Sequence, residues 1–560
     1  MVGLPYDLVA NPLGAVRSTF EKAAASSGFD PNGKDWGVLD LFRHFLFDQG
    51  RLSQVPILNG ETIRWIQPKT LVRFRAMVQD MLGNEFYVGA YQDGSVWRTN
   101  KFRDVSQFPL GDSSPHTQVW ERRLLYCVPV PGQNSWTEPS SESVVNQCKD
   151  FIPQQREKRR RMDDEAIDDM NMLVSDNGFQ VSPSVKKVKE DGCPSTSSQT
   201  QDSLSEGYCS NTSMVTGIDK DFLSCLVKIY DSPESDLKLN DVFEFIGILT
   251  LDSELNEDKD DHDEPDNGFC DDVMVHLPPN KGFMLQVPRL HCLIHRKLAA
   301  PDFLRGSPMM EPKPHFVREM REVLLRHLTV VLGNDGIAAH FMLLHLLSRV
   351  HTRVDTVAVG KLSLNLTCFS KESAALFGSR LSLALKTLLP FTHCIPLTLE
   401  YLNSVSLAPK KDYETNRLKT GVLQLAEGSH IIIDETQLEA GTLNSVGMEN
   451  ARLLRNLMEL QRPSSVGSSE VVTAEALEAW RWYLATVKSL PHSIESEMQK
   501  VVENDLVAAR QADRSIGSHD FNRWLTMGRL MSLSFGETCL SLEHWQMVKE
   551  LERLRRERLK

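Results

Sequence analysis

The 560-residue chain lacks any run of about eighteen apolar residues, so we expect no transmembrane helix and no membrane partner. Its ten cysteines are scattered, and none forms a CxxC pair. Because structural zinc sites use closely spaced ligand pairs, this pattern predicts reduced, mostly buried thiols and no metal site. The stretch Met1–Asp7 also lacks the basic and then apolar pattern of a secretory signal, and we expect none.

Three catalytic motifs are absent as well. No GxxxxGK[ST] loop is present to hold nucleotide phosphates with backbone N–H groups and a lysine. The sequence has no GxSxG nucleophile elbow and no HExxH zinc motif. We therefore predict a protein that is not an enzyme and that takes no cofactor.

What the chain has is acidic charge and ample apolar residues. Its net charge is -13, its isoelectric point is about 5.7, and 41% of its residues are hydrophobic. That composition supports large cores and two to four domains. Because affinity for phosphates depends on Lys and Arg, direct nucleic-acid binding is not expected. The acidic charge is compatible with docking onto a basic protein partner.

The pattern of apolar residues predicts a mixed α/β and β fold. Residues 1–65 have helical spacing, as in Val38, Leu41, Phe42 and Phe45. The period changes to two in residues 66–137 and again in residues 219–298. The predicted strands are Leu71–Val78, Glu85–Tyr91, Arg122–Val130, Cys225–Tyr230 and Asp241–Leu249, with a turn at Gly83 and Asn84. Short strands in this number predict one OB-like β-barrel, built from both segments.

Residues 138–218 are polar and poor in aromatics, which predicts a disordered insertion within the barrel. A basic cluster in this insertion is a candidate nuclear-import signal, although a merely solvated charge run is the alternative. Its residues are Arg156, Lys158, Arg159, Arg160 and Arg161. A DNA-binding arm is disfavoured because Asp163, Asp164 and Glu165 follow at once. A second, acidic loop at 252–272 lacks the spacing of an EF-hand, so we expect no calcium site there.

One face of the barrel is a candidate for single-strand binding. Its basic and aromatic residues are Arg73, Arg75, Tyr87, Tyr91 and Trp97. Cationic and stacking side chains of this kind bind single-stranded nucleic acid. The same residues also suit the solvent side of a barrel that docks onto a protein, which is the favoured interpretation.

Residues 299–470 alternate between helices and strands, which predicts an α/β module, and residues 471–560 are helical. One strand is predicted at Lys361–Leu366. Another, Ile431–Ile433, is followed by Asp434 and Glu435, the pattern of a Walker B strand, in which the Asp holds magnesium and the Glu polarises water. A buried strand that simply ends in acids is the alternative, and the missing phosphate loop favours it.

Two further stretches of the module bear on chemistry. The segment 333–338 contains glycine but no Lys-Ser/Thr pair, and the segment 367–373 contains no glycine to let a backbone wrap a phosphate. His340 and His345 lie on one predicted helix among Ala and Leu residues, which favours burial or an interface over metal binding.

Several blocks, in order along nearly the whole chain, resemble the MCM (mini-chromosome maintenance) complex-binding protein family, and the resemblance is to plant members. Among them are Asn11–Gly14, Tyr126–Gly132, Pro409–Tyr413, Ile433–Thr436 and Leu533–Gly536. The resemblance implies a nuclear partner of MCM helicase subunits that acts in DNA replication, in MCM unloading or assembly, and in sister-chromatid cohesion. Contact with chromatin would be indirect. It also implies a degenerate AAA-like module with lid-like C-terminal helices.

The sequence departs from the family at one place. After Leu460 the chain runs almost directly into the next helix, where the family continues with further strands. Several dozen residues are therefore expected to be missing, as in a splice form or an imperfect gene model. Such a loss would expose sheet edges beside Ile431–Ile433.

Overall fold

A computed structural model describes the following parts of the chain: residues 7–26, 29–30, 35–104, 117–138, 223–231, 233, 236–251, 287–304, 314–354, 357–367, 371–413, 417–460 and 474–559. Nearly all of the predicted insertion at 138–218, with Arg156, Lys158, Arg159, Arg160 and Arg161, lies outside the described residues. The acidic loop at 252–272 lies outside them too. Helix and strand are both present, as a mixed fold requires.

The first half of the chain builds a six-stranded sheet. Its strands are β1 (Leu71–Asp93), β2 (Val96–Thr99), β3 (Thr117–Val128), β4 (Cys225–Tyr230), β5 (Val242–Thr250) and β6 (Arg289–Lys297). β1 pairs with β5 near its start and with β3 over the rest, and the order continues β3-β4-β6-β5. The pairings therefore form a cycle, and we call this unit the cyclic sheet. β4 and β6 are parallel, and the other pairs are antiparallel.

The predicted turn at Gly83 and Asn84 is wrong. Both residues lie inside β1 and pair with Leu124 and Arg123 of β3. The register shifts between Met81 and Gly83, and Gly83 has a φ of 91°. A β-bulge absorbs the extra residue at this point and bends the strand, so the chain does not reverse.

Alternate side chains of the strands fill the interior of the cyclic sheet. Val72, Phe74, Ala76 and Val78 of β1 point to one side, where they pack with buried residues of β3, β4, β5 and β6. The other side is covered by the helices α1 (Pro12–Ala24) and α2 (Val38–Arg43) and the turn that follows α2. Their buried side chains, with Phe42 and Leu46 at the centre, pack on Leu71, Ile246 and Ile248. The predicted helical character of residues 1–65 is confirmed for these elements.

The α/β part begins with α3 (Pro314–Val331) and α4 (Gly336–Leu347). A small antiparallel pair follows, β7 (Thr352–Val354) with β8 (Val357–Val359), and then α5 (Lys371–Leu388). The part is completed by β9 (Thr392–Pro396), α6 (Leu399–Ser404), the hairpin of β10 (Lys410–Asp412) and β11 (Arg417–Lys419), then β12 (His430–Asp434) and α7 (Ser445–Leu460). β12 pairs in parallel with β9, as the buried apolar run predicts.

The prediction of a strand at Lys361–Leu366 is wrong, although its buried apolar side chains are present. The segment belongs to none of the four described sheets, although Leu362 is buried and Leu364 and Leu366 pack against the helical core. Alternation is a property of the side chains, whereas a strand also needs a neighbour for its backbone groups. The parallel strand β12 of the same α/β part pairs with β9.

The described residues of the C-terminal region form four helices: α8 (Ala474–Ser489), α9 (Ser496–Ala512), α10 (Ser518–Ser534) and α11 (Leu542–Leu559). Together with α3, α4 and α5 they enclose one apolar core, in which Trp545 is fully buried. Among the described helices, none alone is long and apolar enough to cross a membrane. α3 and α4 pass that test only as a pair, and they are bent by 120°.

The cyclic sheet and the parallel pair are joined by a short strap, residues 130–138. Thr392 N donates to Gly132 O at 2.7 Å, and Asn134 N donates to Pro390 O at 2.9 Å. At a second junction the Arg417 guanidinium lies 3.2 Å from an Asp80 carboxylate oxygen. An apolar cluster that includes Met77, Val130 and Phe391 fills the space between the sheets.

Candidate functional site at the acidic end of the parallel pair

The candidate site lies where β12 ends. Ile431 and Ile432 are each only 1% exposed, so the strand is anchored by apolar burial. Asp434 is half-buried, its backbone O accepts from Leu397 N at 2.8 Å, and its Oδ1 accepts from Thr436 N at 3.0 Å. Glu435, the next residue, is exposed. The end of β12 therefore carries one half-buried and one exposed carboxylate.

The surroundings of the two carboxylates are less like an ATPase. One oxygen of Asp434 closes a local turn, and its partner across the two strands is Pro396. Partial loss of hydration raises the pKa of the Cys394 thiol, although the side chain is exposed by surface area, and the Asp434 charge adds to that shift. Within the described residues, no group of three or more His, Cys, Asp or Glu side chains is placed to hold a metal ion.

The glycine-bearing segment 333–338 is a turn between two helices. Gly333 and Asn334 have φ values of 70° and 64°, which end α3 in the left-handed region. Asp335 then caps α4, because its Oδ1 accepts from Ile337 N and Ala338 N at 3.0 Å each. The carboxylate thus occupies the helix N-terminus, the position where a phosphate loop would bind an anion.

The two candidate histidines of α4 have separate partners. His345 is buried, and its Nδ1 lies 2.6 Å from Leu362 O, while the ring centroid is 5.1 Å from that of His430. His340 Nδ1 lies 2.7 Å from Gly336 O. Burial is confirmed for His345, and burial lowers the pKa of His430 well below its ordinary value.

The basic residues of the proposed single-strand face are engaged by an acid. Glu244 is almost fully buried, and its Oε1 accepts from Arg73 Nη2 at 2.7 Å and from Arg75 Nε at 3.0 Å. Burial by itself raises the pKa of Glu244, but the charges and hydrogen bonds of Arg73 and Arg75 outweigh that effect. The net pKa of Glu244 is lowered to about 2. Both guanidiniums therefore pair with a permanent negative charge.

The aromatic residues of that face are used in packing. The Tyr87 ring makes edge contacts with Trp120 and Tyr230, with centroids 6.3 and 5.7 Å apart, and the Trp97 ring lies 5.9 Å from Phe29. Tyr91 is half-buried. Stacking on bases needs open ring faces, so this arrangement favours the protein-docking interpretation of the barrel.

The cysteines follow the prediction in part. Cys127, Cys225 and Cys292 are free thiols buried in the cyclic sheet, and burial raises the pKa of all three. Cys394, by contrast, is exposed. The buried three are neutral apolar side chains at physiological pH.

Sequence reasoning missed a charged cluster inside the cyclic sheet, which we call the Asp104 cluster. Asp104 Oδ1 accepts from Lys228 Nζ at 2.6 Å and from Arg122 Nη2 at 3.0 Å, and its Oδ2 lies 3.3 Å from His291 Nε2. Glu85 contacts the same Lys228 and Arg122. The signal in the sequence is Lys228, a lone cation in the apolar strand 225–230.

These features define a class of protein. It has a buried parallel strand that ends in two acids, no phosphate loop in its sequence, and a cyclic β-sheet joined to the parallel pair. The profile described as Mini-chromosome maintenance replisome factor matches residues 42–464 and 464–559, which is most of the chain. The chain therefore belongs to the MCM-binding family.

Relatives in plants and animals agree. The chain is 56% identical to the Mini-chromosome maintenance complex-binding protein of Arabidopsis thaliana, with 100% of each chain covered. The proteins of the same name from Salmo salar and Homo sapiens are 31% and 30% identical, and 99% of this chain is covered in both comparisons. The higher identity with the Arabidopsis protein agrees with the predicted resemblance to plant members.

Proposed function

We propose that this chain is a non-catalytic partner of the MCM replicative helicase. In this role it regulates DNA replication by promoting the unloading of MCM complexes from chromatin or their assembly. The observation that carries the proposal is end-to-end similarity to relatives named for binding the MCM complex. A requirement for the chain in sister-chromatid cohesion would follow from this role, and its contact with chromatin would pass through MCM.

We infer that the cyclic sheet is an OB-like barrel and that the parallel pair belongs to a degenerate AAA-like module with lid-like helices α8–α11. A cyclic five-strand order with one parallel pair is typical of OB-like barrels, and it supports this assignment. The assignment of the AAA-like module is supported by the β9–α6–β12 unit and by the acids at the end of β12.

The proposed mechanism is competition for a subunit surface. A module shaped like part of an MCM subunit docks where the neighbouring subunit of the ring normally sits. Because its sequence has no phosphate loop, the chain does not complete a nucleotide site there and acts by occupying the surface. Ring closure and binding of this chain then exclude each other.

We place the chain in the nucleus. The support is the basic cluster at Arg156, Lys158, Arg159, Arg160 and Arg161, a sequence pattern suited to an import receptor. Replacing all five residues with Gln in a fluorescently tagged full chain should shift it from the nucleus to the cytoplasm. The unchanged tagged chain is the control, and equal nuclear signal in the two chains contradicts the assignment.

The function is tested by recovery of partners from nuclear extract. The tagged full chain should recover MCM subunits, and cross-linking should identify the subunit that is directly bound. The tag alone and a tagged acidic protein of similar charge serve as controls, because net charge by itself attracts basic proteins. Recovery of no MCM subunit above these controls contradicts the proposal.

Two other functions are tested on the same purified chain. An ATP-dependent remodeller would turn over ATP, and titration with nucleotide should detect neither binding nor turnover. A single-strand DNA binder would lose affinity steeply as salt is raised, and oligonucleotide titrations between 50 and 200 mM salt should detect no such binding. ATP turnover that is lost in an Asp434→Asn variant would replace the non-catalytic role.

A further inference from the structure

A cavity of about 310 Å³ lies between α1 and the hairpin that β1 and β2 form. Arg17, Phe20 and Glu21 line it from α1, because residues three and four apart share one face of a helix. Tyr91 and Arg98, which are directly opposite each other in the β1–β2 pairing, line it from the sheet. We call this cavity the arginine pocket.

The walls of the arginine pocket are held by packing and by a hydrogen bond. Phe20 is only 1% exposed and packs with Trp36 and Trp120, which fixes α1 on the sheet. Thr99 Oγ1 donates to Gly89 O at 2.8 Å, which fixes β2 against β1. The pocket is therefore formed before any ligand binds, and a preformed site loses little ordering entropy on binding.

The lining of the pocket has an excess of positive charge. A third guanidinium comes from Arg103, whose backbone N donates to Asn100 O at 3.2 Å and whose backbone O accepts from Arg122 Nη1 at 2.9 Å. Against these three cations the lining has two carboxylates, those of Glu21 and Asp93. One positive charge is thus in excess here, although the chain as a whole has a net charge of -13.

The two carboxylates act mainly on one of the three arginines. Asp93 Oδ2 accepts from Arg98 Nε at 2.7 Å, and this bond, with the charges of Asp93 and Glu21, raises the pKa of Arg98. Arg17 is exposed, and within the described residues no ion pair involves it. Its guanidinium is therefore available to an anion that enters the pocket.

The chemistry of the lining favours a compact anion with two charges. A guanidinium donates two parallel hydrogen bonds to a phosphate, and clusters of arginines are a common means of recognising phosphorylated side chains. Phe20 supplies an apolar surface for the carbon atoms that carry such a group. A nucleic acid strand fits less well, because its further phosphates would pass the exposed carboxylates of Glu21 and Asp93.

We propose that the arginine pocket binds a phosphoryl group carried by a serine or threonine side chain of a peptide. Arg17 and Arg103 donate to the phosphate oxygens, while Arg98 keeps its bond with Asp93 and adds its charge. The site is separate from the acidic end of β12. It gives the chain a means of recognising phosphorylated protein that does not depend on the proposed MCM role.

Calorimetric titration of the phosphatase-treated full chain tests this proposal. The probes are a short glycine peptide with one central phosphoserine, the same peptide with serine, and inorganic phosphate. The phosphopeptide should bind saturably, the serine peptide should not bind, and inorganic phosphate should bind more weakly than the phosphopeptide. Arg17→Gln should weaken phosphopeptide binding by about 10-fold, the scale for hydrogen bonds to a charged group.

Two variants control for this result. Arg43→Gln removes an exposed arginine of α2 whose described ion pair is with Asp40, and it should leave phosphopeptide binding unchanged. Glu21→Gln removes a negative charge from the pocket and should strengthen phosphopeptide binding by about threefold. A gain in affinity cannot come from loss of folded protein, so this variant separates the site from a general effect on stability.

Four outcomes overturn the proposal. They are no saturable binding of the phosphopeptide, equal binding of the serine peptide, equal effects of Arg17→Gln and Arg43→Gln, and binding of inorganic phosphate alone. Displacement of the phosphopeptide by a single-stranded oligonucleotide would also overturn it, because the pocket would then be part of a nucleic-acid surface. Since the titration uses the purified chain, its failure leaves the recovery of MCM subunits untouched.

Discussion

Replacing Asp104 with Asn should lower the free energy of unfolding by about 3 to 5 kcal/mol, the scale for breaking a buried ion pair. The substitution keeps the size of the side chain but removes the charge between Lys228 and Arg122, both of which are only 5% exposed. Glu85 alone then faces two buried cations. Urea unfolding of the full chain, followed by tryptophan fluorescence, measures the loss.

Two variants control for this result. Asp93→Asn removes an ion pair with Arg98 in which both side chains are about half exposed, and it should cost less than about 1 kcal/mol. The double variant Asp104→Asn with Lys228→Met removes the stranded ammonium and should recover part of the loss. If Asp104→Asn costs no more than Asp93→Asn, the Asp104 cluster does not stabilise the cyclic sheet.

The Asp104 cluster also predicts a response to acid. Burial lowers the pKa of His291 from 6.5 to about 4, although Asp104 opposes that shift. Because the folded pKa lies below the unfolded one, the stabilisation by neutral His291 is complete above about pH 6.5. It is lost as the pH falls from 6.5 toward 4, since the unfolded chain binds the proton first. The urea midpoint should be constant from pH 7 to 8 and fall through that window.

Gly132→Ala should destabilise the chain by about 2 to 4 kcal/mol, the sum of a left-handed backbone cost and a forced shift of a neighbour. Gly132 has a φ of 72°, and an added Cβ would lie 2.5 Å from Thr392 O, a backbone atom that is held in β9. The strap must then move away from the strand and lose its hydrogen bond with Thr392 N. Urea unfolding measures the cost.

Gly94→Ala separates the two causes. Gly94 also has a positive φ, 62°, but an added Cβ there would meet nothing within 4 Å. It should cost only about 1 to 2 kcal/mol. Exchange of the backbone amide of Thr392 reports on the strap itself and should accelerate in Gly132→Ala and stay unchanged in Gly94→Ala. Equal effects of the two variants on both measurements would show that the strap does not join the sheets.

Local patterns in the sequence predicted much of the fold. Alternation located β4 and β5 within a residue of their bounds, and helical spacing predicted the helical region that contains α10 and α11. The apolar run before Asp434 and Glu435 predicted a buried parallel strand, which β12 is. Such patterns depend on neighbours a few residues away, so they survive without knowledge of the tertiary structure.

The wrong predictions share one cause: residues far away in the sequence decide whether a segment pairs as a strand. Gly83 and Asn84 have the composition of a turn, yet β3 holds them in a continuous strand through a bulge. Lys361–Leu366 has the alternation of a strand but lies in none of the described sheets. No local pattern says whether a partner strand exists.

The sequence alone predicted many of this protein's helices and strands, and it showed the lack of a phosphate loop and the resemblance to the MCM-binding family. The tertiary structure decided which charges meet. Asp104, Arg122, Lys228 and His291 lie far apart in sequence and come together only because β3, β4 and β6 are neighbours. Periodicity is set by the geometry of one segment, whereas burial and ion pairing depend on how segments pack.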